Sequence, residues 1–262
     1  MDVLQMVLIA LFIYLGSIGS IVGNTIGWYT LGRPLPAAFV VGLILGDVQT
    51  AMIVGLPLQV MYLGNVTPGG AVAWDLSYAT YIGTAGAIVF GEGLDASALI
   101  GIATVFAGIG GLVGQLMWNF SYALNLPLNR VAQRYAEAGD TKHMWVPNVL
   151  MGQAIGFLCR FVPAMIVLGG MTAASTQADF ATMIPDYVTT CLTTFGGMMT
   201  ALGMGILLSF LVKQNWYLAI FMAGFMLVTY FNLSMMGVAI LAAIVAVVYY
   251  KSDTLKPAKG VE

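Results

Sequence analysis

Long apolar runs alternate with short polar breaks along nearly the whole chain. The runs 3–23, 97–122, 146–172, 186–212, 215–232 and 235–250 hold few or no charges, and shorter ones occupy 34–46, 51–64 and 76–90. Nearly uncharged stretches of about 18 or more residues read as membrane-spanning helices. The pattern predicts an all-α polytopic membrane protein. Segments 34–46 and 51–64 are too short to cross a hydrocarbon core of ~30 Å at ~1.5 Å per residue. Each is interrupted by Gly or bounded by Pro, so the pair is expected to form a re-entrant hairpin. Lipid offers no hydrogen-bond partners, so irregular backbone at that depth must lie against protein or a wet cavity. The stretch LGDVQTAMIVGLPLQVMYLGNVTPGGAVAWD, residues 45–75, therefore reads as the wall of a polar cavity.

The first run follows an acidic Asp2, with no basic segment before it and no small-residue cleavage site. It is expected to be a retained span rather than a signal peptide. One long polar connection divides the chain, which is read as a single domain, 1–262. Its pseudo-repeat halves are about 1–128 and 145–250, with a cytoplasmic loop at 129–144 and a polar tail at 251–262. RPLPAAFVVGLILG from Arg33 and RFVPAMIVLGG from Arg160 share an Arg, a nearby Pro and an apolar run ending in Gly. That faint symmetry suits an inverted-repeat helical bundle, an architecture common among transporters. Arg130, Arg134 and Lys142 place the central loop in the cytoplasm, and Lys251, Lys256 and Lys259 do the same for the tail. The side of the N-terminus stays open, because the hairpin makes the crossing count ambiguous.

Composition narrows the chemistry. The chain is 60% hydrophobic and 8% charged, with a mean hydropathy of +0.93. A net charge of −2 supplies no basic face for nucleic acid. Cys159 and Cys191 both lie in apolar segments without a metal or disulfide spacing, and His143 is the sole imidazole. No metal site, cofactor or catalytic residue is expected from this inventory.

The polar residues within apolar sequence are then the informative ones. Asp75 follows TPGGAVAW, and an intramembrane carboxylate marks function by default because its burial is costly unless it is paired. Gln59 either binds a hydroxylated ligand or cross-links two helices. Asn65 and Thr67 sit in a Gly/Pro-rich turn whose local chemistry suits both. Asp47 follows Gly46 and is placed to cap a helix beginning near Thr50. Arg160 falls near the middle of 146–172, so it must meet carbonyls or a carboxylate. Structural charge pairing with Asp47 or Asp75 is its expected role. Glu92 and Asp95 are read as a solvated turn. Trp28, Tyr29, Trp145, Trp216 and Tyr217 flank the runs as interfacial anchors do, while Trp74 and Tyr78 stand where they could stack on a sugar face.

RPLPAAFVVGLILGDVQTAMIVGLPLQVMYLG resembles the signature region of enzyme IIC, the membrane-channel component of the mannose/fructose/sorbose family of bacterial sugar phosphotransferase systems. The likeness covers most of the chain. It takes in Arg33-Pro34, Gly46-Asp47, the Gly-x-x-x-Gln pattern ending at Gln59, Leu63-Gly64 and Asp75. Further along it includes Arg160 with Pro163, Pro185-Asp186, Gly196-Gly197 and Phe231-Asn232. The resemblance implies a sugar-conducting subunit that assembles with a second membrane protein, enzyme IID, into a homo-oligomeric array in the bacterial inner membrane. Cytoplasmic IIA and IIB components would relay phosphate from phosphoenolpyruvate to the entering sugar. It also implies sugar contacts at Gln59, Asn65, Thr67 and Asp75. Gln59 stands where mannose transporters usually have Glu, and Thr67 where they have Asn, so an amino sugar, N-acetylated hexosamine, fructose-type sugar or sugar–amine conjugate is at least as good a candidate as mannose. The alternative is a stand-alone proton- or ion-coupled carrier using Asp47, Asp75 and Arg160 as its relay.

Overall fold

The computed structural model describes residues 1–63, 75–176, 211–214 and 216–254, with scattered positions between 187 and 209. All regular structure among the described residues is helical, and the chain divides into two compact units, Met1–Leu207 and Leu208–Glu262.

In the first unit, α1 (Val3–Leu15) is followed by a π-helical segment, Asn24–Leu31, then α2 (Pro34–Leu45) and α3 (Val48–Met61). Next come α4 (Leu76–Phe90) and α5 (Ala96–Glu137), and a second π-helical segment, Val146–Met151, leads into α6 (Gly152–Thr176). The second unit contains α7 (Trp216–Thr229) and α8 (Met235–Thr254). Among the described residues two helical stretches are long and apolar enough to cross a membrane, Ala96–Glu137 and Val146–Ser175.

The expected span 3–23 is not one helix. It ends at Gly16, and the chain resumes as Asn24–Leu31, which meets Pro34–Leu45 at an 80° bend. The break frees backbone carbonyls that lipid cannot serve, and hydroxyls and amides take them up. Ser17 and Ser20 donate to the carbonyls of Tyr14 and Leu15, at 2.6 and 2.7 Å. From α4, Ser77 Oγ donates to Gly16 O at 2.6 Å and the Tyr81 hydroxyl to Leu31 O at 3.1 Å. Gln153 Nε2 donates to Gly19 O at 2.8 Å, and its Oε1 accepts from the Tyr14 hydroxyl at 2.6 Å. The small polar residues of this stretch thus serve the break in the helix.

The hairpin 34–46/51–64 forms as α2 and α3. Gly46 makes the tight reversal with φ of 82°, a left-handed conformation that suits glycine, and Asp47 starts α3. Gly42 packs on Ala51 and Gly55 on Ala38, which lets the two backbones approach closely.

α4 lies at the centre, with most of its residues buried, and packs most extensively on α5. Small residues set that contact. A Cβ on Gly83 would stand 2.7 Å from Ala103 O, and one on Gly110 2.6 Å from Tyr78 O. Phe90 and Phe106 stack at 5.2 Å between ring centroids. The polar connection expected as a loop at 129–144 is mostly helix, because α5 continues to Glu137 before Gly139 turns the chain at φ 68°. Its residues are largely helix formers, with Gln133 bonded to Glu137 one turn on at 2.9 Å. Polarity there marks where the helix leaves an apolar setting, not where it ends.

Candidate functional site

Asp75 is the N-cap of α4. Its Oδ1 accepts from the backbone N–H of Tyr78 at 3.1 Å, satisfying a donor the helix start leaves open. The other oxygen, Oδ2, meets Arg160 Nη2 at 2.6 Å, and the two side chains are only 2% and 6% exposed. A buried charge is tolerated when it is paired, and here each of the two charges neutralises the other. α6 holds Arg160 in place, and the Tyr78 hydroxyl donates to the Arg160 carbonyl. The guanidinium stands 5.3 Å from the ring centre of Trp118 on α5 and 5.9 Å from that of Tyr78. Three helices therefore converge on one ion pair with aromatic walls.

The pairing of Arg160 with Asp47 is not what forms. Asp47 caps α3 by accepting from Thr50 N at 3.0 Å. It lines a cavity of about 290 Å³ with Glu92 and Gly91, beyond the last turn of α4. Asp75 begins the same helix, so at ~1.5 Å per residue the two carboxylates lie near opposite ends of α4, about 20 Å apart. Asp47 cannot reach Arg160.

Gln59, in the last turn of α3, accepts through Oε1 from the N–H of Leu35 at 3.3 Å. That bond serves an open donor at the start of α2, so the helix cross-link is the interaction the geometry displays. Asn65, Thr67, Trp74, Cys191, Pro185, Asp186 and most of 186–212 lie outside the described residues. Trp28 departs from the anchor reading, being 6% exposed and packed with Val54, Leu58 and Leu76. It also forms one wall against Arg33, whose guanidinium carbon is 5.9 Å from its ring centre. Trp145 and Trp216 are exposed, as anchors require. Asp95 caps α5 through Ser97 N at 3.3 Å, and Glu92 is exposed. In the turn after α5, a hydrogen bond from His143 holds the Asp140 carboxyl below its usual value.

Sequence reading missed Gln115 and Trp118, which lie within the long apolar run of α5. The signal for Gln115 is an amide standing inside apolar sequence.

Residues 3–248 match the family described as PTS system sorbose-specific IIC component. The chain belongs to this family. It is a sugar-transporting membrane subunit of a phosphotransferase system, multi-pass in the bacterial inner membrane. Family membership sets aside the stand-alone carrier. The mannose-specific EIIC component of Escherichia coli K12 is 26% identical over 94% of this chain and 88% of its own length. The fructose permease IIC component of Bacillus subtilis is 26% identical over 99% and 91%. N-acetylgalactosamine permease IIC component 1 of Escherichia coli K12 is 29% identical over 81% and 76%. Among solved structures, a membrane protein 24% identical superposes with a TM-score of 0.76 over 96% of both chains. The mannose transporter ManYZ in complex with microcin E492 gives 0.53 at 24% identity, over 100% of this chain and 99% of that one. These two share the fold.

Proposed function

We propose that this IIC subunit takes up a hexose, an amino sugar or a related sugar, using Asp75, Gln59, Asn65 and Thr67 as sugar contacts. In this reading it assembles with an enzyme IID subunit, and cytoplasmic IIA and IIB components phosphorylate the sugar as it enters. The observation that carries the reading is the ion pair of Asp75 and Arg160. It places a fixed carboxylate at the start of α4, directly after the Gly- and Pro-containing sequence 64–74. Carboxylates and amides replace the water around sugar hydroxyls by offering directed acceptors and donors. The amide nitrogen of Gln59 is the group it would offer, since its oxygen serves Leu35.

The substrate class follows from the range its relatives' names span, which are mannose, fructose, sorbose and N-acetylgalactosamine. Uptake of these four sugars, radiolabelled, by membrane vesicles holding the chain and its partner proteins tests the proposal. Accumulation that requires phosphoenolpyruvate, and yields sugar phosphate, is the expected result. Uptake driven by a proton or sodium gradient without phosphoenolpyruvate would refute it.

A further inference from the structure

The ion pair leaves one arm of Arg160 unused. Asp75 meets the guanidinium through Oδ2 and Nη2 at 2.6 Å, while its Oδ1 accepts from Tyr78 N–H. Nη1 is buried and has no hydrogen-bond partner. A bare donor on a charged group inside protein carries the full cost of its desolvation. Gln115 on α5 shows the complementary deficit, a buried Oε1 with no partner. It precedes Trp118 by three residues, so both lie on one face of α5, and Trp118 lies against Arg160. Its neighbour Gly114 presses on the cap itself, since a Cβ there would stand 2.5 Å from Asp75 Cβ. A buried donor and a buried acceptor, both unpartnered, therefore belong to the two helices, α6 and α5, that pack around the Asp75 cap.

We infer that Arg160 Nη1 and Gln115 Oε1 are sugar-contacting groups that extend the site at Asp75 onto α5 and α6. Sugar hydroxyls each accept and donate, which suits an unpartnered donor and an unpartnered acceptor. Trp118 and Tyr78 hold the guanidinium from its aromatic sides, and Asp75 holds it from the third. This inference rests on the sugar-transport reading.

Gln115→Leu tests it with a readout that a structural role would not give. The change removes an unpartnered buried oxygen, so thermal stability without sugar should stay level or rise, while affinity for sugar should fall about tenfold. Arg160→Lys keeps a cation for Asp75 and removes the second arm, and should weaken binding at least as much. The measurement is equilibrium binding of radiolabelled mannose, fructose, sorbose and N-acetylgalactosamine to the purified membrane complex. Gln115→Leu with parental affinity for the sugar that the parent binds would overturn the inference, the two groups then holding water alone. A parent complex that binds none of the four would overturn the sugar reading itself and the inference with it.

Discussion

Asp75 caps α4 with one carboxylate oxygen and anchors Arg160 of α6 with the other, at 3.1 and 2.6 Å. One side chain thus fixes both the start of the central helix and the only cation held in the core among the described residues. The pair is worth little as net stability, since desolvation offsets its attraction, but losing one partner strands a buried charge.

Asp75→Asn separates the two duties. The amide oxygen still accepts from Tyr78, so the cap survives, while the ion pair is lost. Stranding Arg160 should cost about 3–5 kcal/mol in stability, and losing a charge-assisted contact should weaken sugar binding about 10- to 150-fold. Thermal unfolding and sugar binding of the inserted protein measure the two effects, and parental values of both would remove Asp75 from pair and site alike.

Arg160→Met and the double variant Asp75→Leu/Arg160→Met form a cycle with Asp75→Leu. Each single change leaves an unpaired buried charge, whereas the double leaves none, so it should be more stable than the sum of the singles by about 1–3 kcal/mol. Transport should not return with stability. A strictly additive cycle would show that the two groups do not depend on each other.

The hairpin at 34–61 was legible in the sequence because two signals agreed: its apolar segments are too short to span, and Gly46-Asp47 sits between them. The carboxylate–guanidinium pair was legible only in outline. An arginine inside an apolar run requires a partner, but sequence alone left Asp47 and Asp75 equivalent; the length of α4 decides between them. The break at Gly16 was hidden, since Ser17, Ser20 and Gly23 are mild by hydropathy and the run 3–23 scores as continuous. What marks the break is a set of hydroxyls from α4 that reach its carbonyls, a relation between residues some 60 positions apart.

Close packing of α4 on α5 makes a paired glycine test. Gly114 faces Asp75 and Tyr78, where a Cβ would meet side-chain carbons at 2.5 and 2.8 Å, whereas nothing lies within 4 Å of one on Gly108. Gly114→Ala should destabilise by about 1–3 kcal/mol and disturb the cap. Gly108→Ala should be neutral or stabilising by up to about 1 kcal/mol, because alanine costs less entropy in a helix. Equal melting temperatures for the two variants would show that α5 does not press on Asp75.

The last prediction is that the chain itself never carries the phosphoryl group. Covalent relay needs an activated nucleophile beside the donor. His143 is exposed in the turn after α5, its Nδ1 engaged with Asp140 at 2.6 Å. Cys159 is 7% exposed within the apolar helix α6, closed to a soluble phosphate donor. Phosphoenolpyruvate-dependent uptake should therefore persist in His143→Gln/Cys159→Ser/Cys191→Ser, apart from modest packing losses. One local effect should appear. His143 holds the Asp140 carboxyl down, so its stabilising share is present above the ordinary carboxylate range and lost as pH falls through the lowered value. His143→Gln should let Asp140 titrate closer to its ordinary value without changing transport at neutral pH. Radiolabelled phosphate recovered on this chain during turnover, or phosphorylation lost in a well-folded His143→Gln variant, would overturn the purely sugar-conducting role.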